Sequence, residues 1–307
     1  MTDTPVGEHE RVRALASAAT VGEIVTAMTA AFRAASLDTP ALDARRLTEH
    51  KLGLAATDLL RDPGRRLTSE ERSRLVHAAS RRLAREPVSR IVGERAFHGL
   101  DLEIGPATLD PRPDTETLVD GILALVAEGA VPGGDAPRIL DLGTGSGAIL
   151  LALLTHLPSA RGLGTDISPE ALEVAGRNAR RLGLADRVRL APGRWLDGIR
   201  ERFEIVVSNP PYIPAAEIDA LEPEVARFDP RGALDGGPDG LDAYREIARG
   251  LPGVLVPGGW TAVEVGAGQS EPVARILASS LGTAPCDMLT WTDLGGIARC
   301  VAVKARA

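Results

Sequence analysis

Arg138-Ile139-Leu140-Asp141-Leu142-Gly143-Thr144-Gly145-Ser146-Gly147-Ala148 is the stretch that decides the fold. Its first five residues read as a strand, an arginine followed by an apolar run interrupted by one acid. Glycines follow at alternate positions, and the apolar run of residues 148–156 has helical length. Strand, glycine turn and helix in this order begin a sheet of parallel strands covered by helices. The glycines let a ligand approach the backbone where Cβ atoms would obstruct it, at a helix N-terminus suited to nucleotides. The loop alone does not name the nucleotide, because Gly143, Gly145 and Ala148 also satisfy the GxGxxG/A spacing of dinucleotide sites.

Downstream the pattern repeats. Residues 161–167 read as a second strand, and Ser168-Pro169 caps a helix running to about Leu182. Val188-Arg189-Leu190, Phe203-Glu204-Ile205-Val206-Val207 and residues 260–265 supply further strands. The alternation predicts a parallel sheet with helices on both faces and a ligand at the carboxyl ends of its strands. Asp166, ending the second strand, is placed to accept both hydroxyls of a ribose, which a nicotinamide dinucleotide and S-adenosylmethionine require equally.

Upstream the character differs. Residues 1–86 read as helices only, with capping boxes at Thr20-Val21-Gly22-Glu23 and Thr68-Ser69-Glu70-Glu71 and a proline opening a helix after Thr39. Helices this short persist only by packing on one another, so a small helical bundle is expected. Residues 87–112, with Ile91-Val92, Leu100-Asp101-Leu102-Glu103-Ile104 and punctuating glycines, read as a β-hairpin linker, leaving residues 113–307 for the α/β domain. A chain of 307 residues accommodates two such domains.

Composition excludes several classes. No apolar run approaches the length of a membrane span, and residues 1–10 are polar and acidic rather than signal-like, so a cytoplasmic address is expected. Cys286, Cys300 and five scattered histidines lack metal-ligand spacing; no metal is expected, and both cysteines read as small buried hydrophobes. The net charge of −7 argues against a partner held mainly by its phosphates. Residues 1–90 carry 15 basic and 12 acidic side chains, the arginines clustering between Arg61 and Arg85. That cluster reads either as a solvated helix face or as a docking surface.

Ser208-Asn209-Pro210-Pro211-Tyr212 separates a methyltransferase from a dehydrogenase. Two prolines cannot continue a central strand; they fix the backbone at the ligand edge, between Asn209 and Tyr212. The lone pair of an amide or ring-amine nitrogen is delocalised, so such a nitrogen attacks a methyl group only when it is aimed. The Asn209 side-chain oxygen and the Pro210 carbonyl are suited to accept its two hydrogens, and their dipoles stabilise the positive charge that grows there. The Tyr212 ring is expected to pack on the planar substrate and face the sulfonium.

With these residues in view, the chain resembles the peptide chain release factor glutamine N5-methyltransferase family (PrmC/HemK-like) over nearly its full length. The resemblance rests on Pro87-Val88-Ser89-Arg90-Ile91-Val92-Gly93, Pro111-Arg112-Pro113-Asp114-Thr115-Glu116, the Asp141 loop, Asn209 to Tyr212, and Asp293-Leu294-Gly295-Gly296. It implies a Rossmann-like class I S-adenosylmethionine methyltransferase domain, preceded by a helical domain that docks a class 1 release factor, with no direct nucleic-acid substrate and a monomeric state. The implied reaction methylates the side-chain amide nitrogen of the glutamine in the release factor's Gly-Gly-Gln motif, supporting translation termination. By the same resemblance Gly143, Thr144, Gly145, Ser146, Gly147, Asp166 and Asn209 bind the cofactor, Trp195 lies against its adenine, and Asn209, Pro210, Pro211 and Tyr212 hold the glutamine. Arg194 stands where the family often has an acid, and Asp110 where it commonly has an apolar residue. Arg112, Asp114 and Glu116 are expected to border the site or to serve as caps and ion pairs.

Two rivals follow from the same residues. An adenine N6-methyltransferase acting on DNA or RNA presents a similar NH2 to Asn209, but needs a base-flipping pocket and a basic surface, whereas the residues after 90 carry most of the negative charge. A cofactor-binding protein without turnover is the other, opposed by an intact Asn209 to Tyr212 beside an intact loop.

Overall fold

A computed structural model describes residues 15–284 and 287–306, so the expectation for Cys286 falls outside the described residues. The chain divides into two compact units after Gly93.

In the first unit, α1 (Val21–Ala34), α2 (Pro40–Leu52), α3 (Ala56–Arg61), α4 (Ser69–Leu83) and α5 (Val88–Val92) pack around Ile24, Met28, Phe32, Leu47 and Leu75. Both capping boxes form: Thr20 Oγ1 accepts from the Glu23 backbone N–H, and Thr68 Oγ1 from that of Glu71. Ile91-Val92 is helical rather than extended. Pro87 enters α5 and Gly93, at φ 90°, closes it, so the β-branched pair ends in the bundle instead of in a hairpin.

The hairpin itself is β1 (Glu94–Phe97) and β2 (Leu100–Glu103), joined through His98 and Gly99, both at positive φ. It is bound into the second unit rather than standing as a free linker. The Asn178 side chain accepts from Glu103 N–H and donates to the Glu103 carbonyl (2.8 and 2.9 Å), while Arg181 pairs with Glu94 at 2.6 Å.

The second unit continues with α6 (Glu116–Ala127), β3 (Arg138–Leu142), α7 (Ala148–His156), β4 (Arg161–Asp166), α8 (Pro169–Arg181), β5 (Val188–Pro192), β6 (Phe203–Ser208) and α9 (Pro223–Ala226). It ends with α10 (Asp242–Val254), β7 (Leu255–Glu264), α11 (Ser270–Leu281), β8 (Met288–Thr292) and β9 (Ala298–Lys304). The sheet order is β5-β4-β3-β6-β7-β9-β8. Five strands are parallel as expected, but β9 runs antiparallel between β7 and β8, so the sheet is mixed. The last two strands form a hairpin, which needs no crossover helix, and its returning strand β9 enters between β7 and the edge strand β8 and runs against both. One apolar layer joins a sheet face to α6 and α7, and a second joins the opposite face to α10 and α11. Residues 148–154 of α7 are all buried, which explains an apolar run without helical periodicity.

Strand order reverses between β3 and β6, whose carboxyl ends bear Leu142 and Ser208. At such a reversal the loops splay apart and leave a crevice.

Candidate active site

Asp141 is buried at the end of β3, where burial first, and the nearby Asp166 charge as well, push its carboxyl up to about 7, against the hydrogen bond from Thr144. That hydroxyl donates at 2.6 Å, and the Thr144 N–H donates to the Thr165 carbonyl at 2.9 Å, tying the glycine loop to β4. Gly143, Gly145 and Gly147 all have positive φ. A Cβ on Gly145 would enter open space, whereas one on Gly147 would press on Leu151; Gly147 therefore serves packing and does not line the cavity.

Asp166 sits beside this loop. Its Oδ2 accepts from Gly145 N–H and its Oδ1 from Ser168 N–H, both at 2.9 Å. The carboxylate is thus held by backbone and keeps lone pairs for a ligand. Ser168 caps α8 through Ala171 N–H as the sequence indicates.

A cavity of about 630 Å³ opens over these groups. Among its walls are Gly143, Thr144, Gly145, Ser146, Asp166, Trp195, Asn209 and Pro211. Ile167, 71% exposed, adds an apolar wall beside the acid. Arg194 forms a two-pronged pair with Glu246 (2.7 and 2.8 Å), so the cavity has an acid here although position 194 does not supply it.

Asn209 follows β6, with Ser208 anchored to the Leu142 carbonyl at 2.7 Å. Asn209 Nδ2 donates to Thr115 Oγ1 at 3.2 Å, which leaves Oδ1 as the free end of the amide. Pro210 is buried and does not line the cavity. Nor does Tyr212: its hydroxyl donates to Glu264 Oε1 at 3.3 Å and its carbonyl accepts from Gln269 Nε2 at 2.9 Å. The expected ring face on the substrate is therefore replaced, in this structure, by a ring held against the end of β7. Burial is the main cause raising the Tyr212 phenol above its usual range, and the Glu264 charge adds to it.

Residues 213–240 fold over the crevice in short helical turns, with Pro230, Gly232, Ala233 and Asp235 on the cavity wall. Arg112 reaches this segment through Asp229 at 2.6 Å. Asp114 instead pairs with Arg299 at 2.9 Å, and Glu116 accepts from His98 N–H at 2.8 Å. Asp110 is buried, with Arg95 3.6 Å away.

Thr115, Glu264 and Gln269 were not singled out by role in the sequence. One signal for Glu264 was available: an acid at the end of the apolar run of β7 is either paired or functional.

The mixed seven-stranded sheet, the reversal crevice and the glycine loop facing an acid define a class I methyltransferase domain. Residues 134–256 match the family model described as a methyltransferase domain, and residues 23–93 match that of the PrmC N-terminal domain. The chain belongs to the release factor glutamine methyltransferase family. It is 50% identical to the release factor glutamine methyltransferase of Rhodospirillum rubrum, over 95% of this chain and 87% of that protein. The Bradyrhizobium diazoefficiens protein of the same name is 47% identical over 90% of this chain and 92% of its own. Among solved structures, the hMettl16 catalytic domain in complex with MAT2A 3'UTR hairpin 6 shares the fold. It has a TM-score of 0.52 at 17% identity, covering 76% of this chain and 81% of that one. No helix among the described residues is long and apolar enough to cross a membrane.

Proposed function

We propose that this chain transfers a methyl group from S-adenosylmethionine to the side-chain amide nitrogen of the glutamine in the Gly-Gly-Gln motif of a class 1 release factor. The observation that carries the chemistry is Asn209: its nitrogen is occupied by Thr115, so its oxygen is left to accept a substrate N–H beside the cavity. Substrate identity is supported by the near-full-length relatives named for that reaction.

The residues fit the cofactor. Space around Gly145 admits a ligand against the backbone, Asp166 has acceptor capacity for ribose hydroxyls, and Ile167 with Trp195 offers apolar surface for an adenine. S-adenosylmethionine, when bound, supplies an electrophilic methyl on a sulfonium. Asn209 Oδ1 accepts an amide hydrogen and orients the nitrogen lone pair; the Pro210 carbonyl expected to take the other does not line the cavity in this structure. As positive charge develops on that nitrogen, the Asn209 oxygen stabilises it. Residues 213–240 exclude water from the crevice. The helical unit docks the release factor, and the protein acts as a cytoplasmic monomer without a direct nucleic-acid substrate.

Incubation with a release factor and S-adenosylmethionine, followed by peptide mass spectrometry, tests the reading. One methyl on the Gly-Gly-Gln glutamine is expected. A methyl elsewhere, or transfer to duplex DNA but not to the release factor, overturns it.

A further inference from the structure

The main-chain carbonyl of Tyr212 is held by a side chain: it accepts from Gln269 Nε2 at 2.9 Å. Gln269 stands just before α11 without capping it, and its Oε1 accepts from the Gly266 N–H at 3.0 Å. A backbone N–H can only donate and a carbonyl can only accept, so these two partners fix which end of the amide is oxygen. The surroundings leave room for this side chain alone. A Cβ on Gly240 would meet the Tyr212 carbonyl and Gln269 Nε2, and one on Gly266 would crowd Gln269 Oε1 and the Tyr212 ring. The same node closes the segment over the crevice. Ile213 N–H donates to the Leu234 carbonyl at 3.0 Å, while the Gly236 and Ala215 N–H groups donate to the Ile213 and Gly237 carbonyls, both at 2.9 Å. The two ends of residues 213–240 are thus clasped directly after Tyr212. Pro211, Asp235 and Gly237 beside the clasp line the cavity, and Gln269 does not.

We propose that Gln269 is a positioning residue for methyl transfer: by holding the Tyr212 carbonyl it keeps Asn209 and Pro211 on one side, and the clasp on the other, in place at the cavity. The proposal rests on the function above. The Tyr212 hydroxyl is tied separately, to Glu264 at 3.3 Å, so Glu264 anchors the ring and Gln269 anchors the peptide. Pro210 and Pro211 have fixed φ, so a shift of the Tyr212 peptide passes on to Asn209 instead of being absorbed between them. Asp166 and the glycine loop follow other strands, β4 and β3, so a loss at Gln269 falls on the substrate side and spares the cofactor. Gln269→Glu keeps the shape of the side chain and the acceptor for Gly266. It has no hydrogen for Tyr212, however, and sets a negative oxygen against that carbonyl.

The test compares Gln269→Glu and Gln269→Ala with wild type in the full chain, at pH 8 and at a temperature where circular dichroism shows all three folded. Single-turnover transfer to the release factor should fall by about 10- to 100-fold in both variants, with cofactor affinity within about threefold. Gln269→Glu should be at least as slow as Gln269→Ala although it keeps the size of the side chain; a role in packing alone predicts the reverse order. Amide hydrogen exchange at Ile213, Ala215 and Gly236 should quicken by about tenfold or more in both variants, while the amides of β3 and β4 stay protected. A wild-type rate in either variant, a faster Gln269→Glu than Gln269→Ala, cofactor affinity lost in step with rate, or unchanged exchange overturns the proposal. Should Gln269→Glu not fold, Gln269→Ala decides by rate, affinity and exchange. Absence of methyl transfer by the wild type defeats the functional reading, while the exchange measurement still judges whether Gln269 holds the clasp.

Discussion

Arg112 and Asp229 meet at 2.6 Å across 117 positions of sequence, joining the segment before α6 to the fold over the crevice. The Asp229 side chain is 1% exposed and that of Arg112 is 35% exposed, so the aspartate depends on the arginine more than the reverse. Removing one partner of a fully buried pair costs about 3–5 kcal/mol, and the partial exposure of Arg112 scales this to about 1–3. Arg112→Ala should therefore loosen residues 213–240. Limited proteolysis should cut there faster, and KM for the release factor should rise more than that for the cofactor. Unchanged cleavage would show that the loop is held by other contacts.

Asp141 and Glu264 are buried carboxyls whose folded pKa values are each raised to about 7, principally by burial. A raised acid binds its proton more tightly folded than unfolded, so its contribution to stability is full below the unfolded value, near 4, and is lost as pH climbs through about 7. The protein should unfold more readily at pH 8 than at pH 5. Asp141→Asn keeps an acceptor for Thr144 and removes one titrating group, so it should flatten the curve by on the order of 2 kcal/mol. Chemical denaturation of both proteins at the two pH values checks this, and parallel curves would count against a raised Asp141.

The elements that were legible in the sequence are those governed by local rules. The loop after β3 needs positive φ at Gly143 and Gly145, both boxes need a threonine three residues before a glutamate, and the prolines after Asn209 end a strand wherever they occur. What was not legible is non-local. Pairing of β7 with β9 sets one antiparallel strand inside the sheet, and Thr115 finds Asn209 across 94 positions. Tyr212 turns toward Glu264 because a buried carboxyl lies there, and nothing within Asn209 to Tyr212 records that neighbour. Ile91-Val92 carries strand propensity but lies between Pro87 and Gly93, whose geometry closes one helical turn.

Asp166 and Gly145 separate two ways of losing the cofactor. Asp166→Ala removes the ribose acceptor and the support of two backbone N–H groups, so affinity should fall by roughly 2–3 kcal/mol, about 30- to 150-fold. Gly145→Ala forces a φ of 57° on a residue with a Cβ and directs that Cβ into open space by the cavity. It should cost about 1–2 kcal/mol of stability and weaken cofactor binding as well. Gly147→Ala instead presses on Leu151, so its main loss should be in stability. Calorimetric titration beside thermal unfolding distinguishes the three, and a Gly147→Ala protein of normal stability would contradict the packing role.

Asn209 is the residue on which the chemistry turns. Asn209→Ala removes an oriented oxygen that acts mainly as charge develops, so the single-turnover rate should fall by about 10²- to 10³-fold. Cofactor affinity should change little, because Asp166 and the glycine loop remain. Asn209→Asp keeps an acceptor but gives up the N–H that Thr115 accepts, and it adds a negative charge beside the sulfonium. It should bind cofactor at least as well as wild type yet transfer methyl more slowly, a split that simple disruption of the cavity would not produce. Equal transfer rates for wild type and Asn209→Ala would remove Asn209 from the mechanism, and with it the role of Thr115.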